Sequence, residues 1–259
     1  MTRLTGKIVI IAGATSGMAR AAALRLCAEG ARVMATGRRE ALGAALVAEA
    51  AALTGEFAGE LAFEPHDVTA ESSWAQVLNA ALTRWGRFDA LIINAGMSAR
   101  APIAELTEQN LRDMVAVNVE GPFLGMRQAF PLLRKSGGGL IVNVGSVAAM
   151  RPAADSTAYA ATKAALTHMT MAAAAEGAAL DPPVRVNMLQ PGFIWSDSVV
   201  EKLGDAGAAK FRELILARSA VKRVGTVDDI AAALAFLVSD GARHLNGVEF
   251  VVDGGLSLA

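Results

Sequence analysis

Seven short apolar runs punctuate the chain: KIVIIA at 7–12, RVMAT at 32–36, LAFEP at 61–65, ALIIN at 90–94, GLIVNV at 139–144, VRVNML at 184–189 and VEFVV at 248–252. Several are apolar at every position instead of alternating, which is how parallel strands covered on both faces read. The stretches between them are long enough for crossover helices. Repeated strand–helix units of this kind predict a doubly wound α/β fold: one parallel sheet with helices on both faces. No linker-like tract interrupts the alternation, so residues 1–259 are expected to form a single domain. The SGGG patch at 136–139 runs straight into a strand and reads as a turn.

Composition narrows the function classes. With 259 residues, 53% of them hydrophobic, the chain can bury a sizeable core and does not read as disordered. Lys and Arg total 24 against 25 Asp and Glu, so nothing in the charge balance suits nucleic acid or an anionic membrane surface. Cys27 is the lone cysteine; an internal disulfide is impossible, which fits a reducing compartment. The first strand-like run begins too early to leave room for a leader, and no uncharged apolar stretch reaches the roughly 18 residues of a membrane span. A cytoplasmic protein is the expectation. His66, His168 and His244 are far apart, and no metal site is expected.

Two local patterns carry chemistry. AGATSGMAR (12–20) joins the first strand to a helix. Gly13 and Gly17 allow a tight turn and close approach of a pyrophosphate, and the helix start offers unpaired N–H groups to it. The spacing is Gly-x-x-x-Gly-x-Ala, with Ala19 where a third glycine could stand. It is neither Gly-x-Gly-x-x-Gly nor a Walker loop, so on its own a plain strand-to-helix turn remains an equal reading. A methyl at position 19 suits helix–sheet packing. In AYAATKAAL, Tyr159 and Lys163 stand four residues apart on one helical face. A nearby ammonium would lower the phenol's pKa and make Tyr159 a general acid–base; a solvated helix face is the alternative. Tyr159 is the only tyrosine, and Ser146 follows the strand GLIVNV at the carboxyl edge where open α/β sheets bind ligands.

Taken in order along the chain, these residues resemble the short-chain dehydrogenase/reductase family in its compact form, similar to the 3-oxoacyl reductases. GATSGMA (13–19) resembles the family's glycine loop, INAG (93–96) its Asn-Asn-Ala-Gly element, and NVEG (118–121) its helix asparagine. QPGFIWS (190–196) resembles Pro-Gly-x-x-x-Thr with Ser196 for threonine, and NGVEFVVDGG (246–255) the closing strand. The resemblance implies a Rossmann-type sheet of seven parallel strands in the order 3-2-1-4-5-6-7. It also implies hydride transfer between a secondary alcohol or ketone and a nicotinamide cofactor. Asn118, Ser146, Tyr159 and Lys163 would be the catalytic set. Tyr159 would exchange the proton, Lys163 lower its pKa and hold the ribose, Ser146 bond the carbonyl, and Asn118 hold a relay water. Around the cofactor would lie Gly13, Thr15, Ser16, Gly17, Met18, Gly37, Arg38, Arg39, Asp67, Val68, Asn94, Ala95, Gly96, Pro191, Gly192, Ile194 and Ser196, beside Tyr159 and Lys163. Asp67 would contact adenine; the alternative is that it caps the helix beginning near Glu71. Met97, Met150, Phe193 and Trp195 are candidate walls of the substrate pocket beside Ser146 and Tyr159, or simply packing residues. Arg100 and Arg151 would meet an anionic substrate or be solvated. Residues 197–225 fall where the family carries a mobile lid. Pro182 and Pro183 lengthen the connection before the sixth strand, which implies an altered surface turn.

Cofactor choice is legible at the end of the second strand. Enzymes of this architecture that use NAD usually carry an acidic residue there. Here Gly37 stands in that place, followed by Arg38 and Arg39. Gly37 leaves room for a 2′-phosphate and Arg38 can meet it, so NADP is expected over NAD. The other reading gives the ribose hydroxyls to Glu40 and admits NAD. The segment 157–180 is apolar around most of its circumference, more than one sheet contact needs; with the family precedent, this predicts a homotetramer. Two competing readings are a non-catalytic dinucleotide-binding regulator, which the complete Asn-Ser-Tyr-Lys set opposes, and a sugar-nucleotide epimerase or dehydratase, which the short chain opposes.

Overall fold

The computed structural model describes residues 4–53, 59–195 and 197–258, with 197–203 described as backbone only. Strands β1 (Ile8–Ala12), β2 (Arg32–Gly37), β3 (Glu60–Pro65), β4 (Ala90–Ile93), β5 (Gly139–Val144), β6 (Val184–Pro191) and β7 (Glu249–Val252) form one sheet. Its order is β3-β2-β1-β4-β5-β6-β7, and every pairing is parallel. The expected order and the seven expected strands are therefore found, with ends shifted by no more than two residues.

The unbroken apolarity of the central strands has a direct cause. Successive side chains leave a strand on opposite faces, and here both faces are buried. Ile8, Ile10 and Ala12 enter one core with Leu91, Ile93, Ile141 and Val186. Val9 and Ile11 enter the other with Ile92, Val142 and Leu189. Helices α1 (Gly17–Ala28), α2 (Glu40–Ala51) and α8 (Val227–Val238) close the second core. Helices α3 (Glu71–Trp85), α5 (Gly121–Lys135) and α6 (Thr157–Ala178) close the first. The edge strand β7 is less buried, and Val251 is 37% exposed.

Three details place the site. Connections leave β1 toward β2 and re-enter at β4 on its other side, so the crevice where ligands bind in open α/β sheets lies beyond the carboxyl ends of β1 and β4. Helix α4 (Glu108–Val115) continues into α5 through a π-helical turn, Ala116–Glu120, a widening often found at functional sites; Asn118 sits in it. Helix α7 (Asp197–Arg218) is broken at Gly204, where φ is +64°. The Pro182–Pro183 turn contains a cis Asp181–Pro182 bond and precedes the amino end of β6, the edge of the sheet opposite the crevice.

Candidate active site

The loop after β1 folds back on β2: the N–H groups of Gly13 and Ala14 both donate to the Thr36 carbonyl, at 3.0 and 2.8 Å. Gly13 has φ +86°, and a Cβ there would stand 2.8 Å from the Ala95 Cα, so only glycine fits. Gly17 has φ +56° with open space where a side chain would go. Ser16 at the N-cap of α1 makes no bond back to the helix, which leaves the first N–H groups of α1 uncovered by it, a natural anion site. Ala19 is fully buried in the core beneath α1. That accounts for the missing third glycine: the position faces packing, away from the cleft.

At the end of β2, a Cβ on Gly37 would meet Thr15 Cγ2 at 2.8 Å. An aspartate there would have to push the Thr15 side chain aside. Of the two arginines, Arg39 is the one fixed over the loop, its guanidinium donating to Thr15 Oγ1 at 3.0 Å and Ser16 Oγ at 2.7 Å. Arg38 is exposed. Asp67 accepts from the N–H and hydroxyl of Thr69 at 3.0 and 2.8 Å, and these bonds hold its carboxyl below the usual range, with Arg38 adding to the effect. Its carboxylate thus closes a turn ahead of α3, whose N-cap is Ala70. Val68 is buried, its carbonyl accepting from Trp74 Nε1 at 2.9 Å. Asn94 lies at the β4 exit with its Oδ1 buried and unpartnered.

One cleft of about 670 Å³ joins these groups. Gly13, Thr15, Ser16, Gly17, Met18, Gly37, Arg38, Arg39, Asp67, Val68, Asn94, Ala95, Gly96 and Met97 line it, and Tyr159 and Lys163 stand at its other end. His66 also lines it, although the sequence reading passed over it. The ring is buried, with Nδ1 2.8 Å from Thr36 Oγ1 and its face at right angles to Trp74. Burial pushes its pKa down to about 4, so it is neutral and anchors β2 to the turn before α3.

Tyr159 and Lys163 share a face of α6, but their electrostatics differ from the expectation. Lys163 is 3% exposed and its Nζ donates to the Val144 carbonyl at 2.9 Å. Desolvation pushes its pKa down to about 8, and its ammonium stands 5.9 Å from the centre of the Tyr159 ring. Burial raises the Tyr159 phenol above its ordinary value; the Ser146 hydroxyl and the charge of Arg100 pull the other way. The lowering that the four-residue spacing predicts is opposed here by burial of the phenol. Lys163 spends one of its three donors on a carbonyl, and its own charge is costly where it lies. At neutral pH the phenol is protonated and can donate.

Asn118 is fully buried. Its side chain accepts from the Met97 N–H at 2.8 Å and donates to the Met97 carbonyl at 2.8 Å and to Thr162 Oγ1 at 3.0 Å. The amide thus clamps the β4 exit loop to α6. Its bonding capacity is largely spent within the protein, and a relay water would have to be held by neighbouring backbone. Ser146 follows β5, its Oγ accepting from the Ala148 N–H at 3.2 Å.

The remaining residues lie beyond the cleft lining. Gly192 N–H donates to Val252 at 3.0 Å, which fixes the elbow after Pro191 against β7. Ile194 bridges to Gly225, and Trp195 N–H donates to the Gly225 carbonyl at 2.8 Å. Phe193 packs edge-on to Trp195 and to Phe211 of α7, with ring centres 6.3 and 4.9 Å away. Phe211 carried no motif that could have marked it. Met150 is 45% exposed. Arg151 donates to the Ser257 carbonyl at 3.2 Å. Ser196 lies outside the described residues.

The cleft suits a nicotinamide dinucleotide: uncovered helix N–H groups for a pyrophosphate, a glycine cradle beside Thr15, and the orphaned Asn94 oxygen. Among the described residues no cluster of His, Cys, Asp or Glu could hold a metal, and no helix is long and apolar enough to cross a membrane. Comparison with known proteins agrees. A family model described as enoyl-(acyl carrier protein) reductase matches residues 13–257. The chain is 33% identical to levodione reductase of Leifsonia aquatica over 100% of its own length and 97% of the relative's. It is 35% identical to 2,5-dichloro-2,5-cyclohexadiene-1,4-diol dehydrogenase of Sphingobium indicum, over 99% and 98%. The structure of a short-chain type dehydrogenase/reductase from Mycobacterium ulcerans superposes with a TM-score of 0.91 at 32% identity, over 98% of this chain and 91% of that one. The chain belongs to the short-chain dehydrogenase/reductase family, and it is a nicotinamide-dinucleotide oxidoreductase acting on CH–OH groups.

Proposed function

We propose that the protein reduces a ketone to a secondary alcohol, and reverses the step, with NADP(H) in preference to NAD(H), as one domain in a homotetramer. The observation that carries the catalytic reading is the convergence of Tyr159, Lys163 and, through its hydroxyl, Ser146 at one end of a dinucleotide-shaped cleft. A bound nicotinamide supplies or accepts the hydride. The chain then has to orient the carbonyl and handle one proton. Ser146 Oγ hydrogen-bonds the substrate oxygen, and the Tyr159 hydroxyl, protonated at neutral pH, donates to it as charge develops there. Lys163, fixed on the Val144 carbonyl, would hold the ribose of a bound cofactor with its remaining N–H donors, and water entering the cleft would reprotonate the phenolate that Tyr159 leaves. Asn118 holds the β4 exit loop against α6 so that the two ends of the cleft stay in register.

The coenzyme preference rests on Gly37 and on Arg39, whose guanidinium already lies across Thr15 and Ser16. Arg38 beside it adds charge. The tetramer is supported by exposed apolar groups on two faces: Phe123 at 48% and Met171 at 42% exposed on α5 and α6, Phe236 and Val251 at 37% on α8 and β7. Phe193 and Trp195, in edge-on contact, with Met97 and Met150 are the side chains proposed to meet the substrate, and their apolar character suits an apolar ring or chain.

The test is a spectrophotometric panel of cyclic ketones, open-chain ketones and an enoyl thioester, each with NADPH and NADH. Ketone turnover with NADPH is expected. Turnover of the enoyl thioester alone would replace the reaction, and preference for NADH would replace the coenzyme. A monomer mass in light scattering at micromolar concentration would remove the tetramer.

A further inference from the structure

Immediately before the Pro191–Gly192 elbow stands a glutamine whose side chain is fully buried and fully bonded. Gln190 Oε1 accepts the Ser146 N–H at 2.6 Å. Its Nε2 donates to Thr167 Oγ1 at 3.0 Å and to Glu249 Oε2 at 3.0 Å. Thr167 in turn donates to the Lys163 carbonyl at 2.9 Å. One amide thus ties together the backbone of Ser146, the turn of α6 that carries Lys163, and edge strand β7. A Cβ on Gly145 would collide with the same amide, so the chain before Ser146 is shaped around it.

We propose that Gln190 is a positioning residue for the proposed catalytic serine, and that its bridge to Glu249 sets the orientation of the Ser146 hydroxyl; this rests on the catalytic reading above. A buried amide with two donors and an acceptor all engaged is held in one rotamer. It adds to the Gly145 N–H donation to the Leu189 carbonyl at 2.7 Å and to the short turn after β5, and it is the bond that engages Ser146 itself from a side chain. Packing alone would be served by a methionine of similar length. The bonding pattern would not, since Ser146 N–H and Glu249 would each lose a partner.

The experiment compares Gln190→Met, the exchanged pair Gln190→Glu with Glu249→Gln, and Tyr159→Phe, using NADPH and the most readily reduced ketone of the panel. Gln190→Met is expected to lower kcat on the order of tenfold to a hundredfold, the scale of a misplaced catalytic group, with NADPH affinity unchanged. Hydrogen exchange at the Ser146 amide should become faster, a readout that needs no substrate. The exchanged pair again offers Ser146 an acceptor and restores a carboxylate–amide bond between positions 190 and 249, and should recover most of the lost kcat and the slow exchange. Parent-like kcat and exchange in Gln190→Met overturn the proposal, whatever Tyr159→Phe does. So does an exchanged pair that melts like the parent yet recovers neither. If Tyr159→Phe keeps its turnover, the catalytic reading fails, and the proposal with it.

Discussion

The dinucleotide half of the cleft and the face beyond Ser146 are built from different materials. On the first side, glycines at 13 and 37 press backbone against Ala95 and Thr15, and Asn118, His66 and Arg39 are each tied to partners within the protein. On the second, Met150 is half exposed, Phe193 leans on Trp195 and Phe211, and α7 is broken at Gly204. A cofactor common to many reactions is met by rigid backbone that tolerates little change. The side chains proposed to meet the substrate stand on a surface that is less buried and less bonded. Gln190 sits on the boundary between the two.

Five substitutions test that contrast, from the largest effect to the smallest. Tyr159→Phe removes the donated proton and keeps the ring; turnover should fall at least about a hundredfold with NADPH binding intact. More than about a tenth of parent kcat would place the proton elsewhere. Lys163→Met should also abolish turnover, and it probes the rigid side through stability. The folded-state pKa of Lys163 is depressed from 10.5 to about 8, so folding disfavours its charged form. That penalty is fully present below pH 8 and disappears as pH rises toward 10.5. The variant should therefore gain up to on the order of 3 kcal/mol at pH 7, a gain that fades through that window in denaturant melts. A gain over the parent no larger at pH 7 than at pH 10.5 would contradict the buried cation.

Arg39→Ala should weaken NADPH binding by about 1.5–3 kcal/mol, roughly tenfold to over a hundredfold in Kd, with little change for NADH. Arg38→Ala serves as the paired measurement; a larger loss there would return the phosphate to Arg38. Met150→Ala, on the adaptable side, should shift ketone KM by less than about tenfold and leave coenzyme kinetics alone. A loss of coenzyme affinity in that variant would erase the distinction between the two halves.

Much of this was legible from local patterns. Apolar runs without alternation announced buried parallel strands because a strand's side chains divide between its two faces and both are covered here. Gly13, Gly17 and Gly37 were readable because tight turns and close backbone approach exclude side chains wherever they occur. The alanine at 19 was readable as a packing residue for the same reason of local geometry. Tyr159 and Lys163 announced themselves by helical spacing, and the family's ordered motifs supplied the strand order. What spacing could not decide is where a polar group finds its partner. Lys163 goes to a carbonyl on β5, Arg39 and not Arg38 lies across the loop, Asn118 is consumed by Met97 and Thr162, and Gln190 reaches residues 44 and 59 positions away. Those choices follow from which atoms the closed sheet leaves within hydrogen-bond reach in a dry interior, where an unpaired group is costly, and that competition is settled only when the strands have come together.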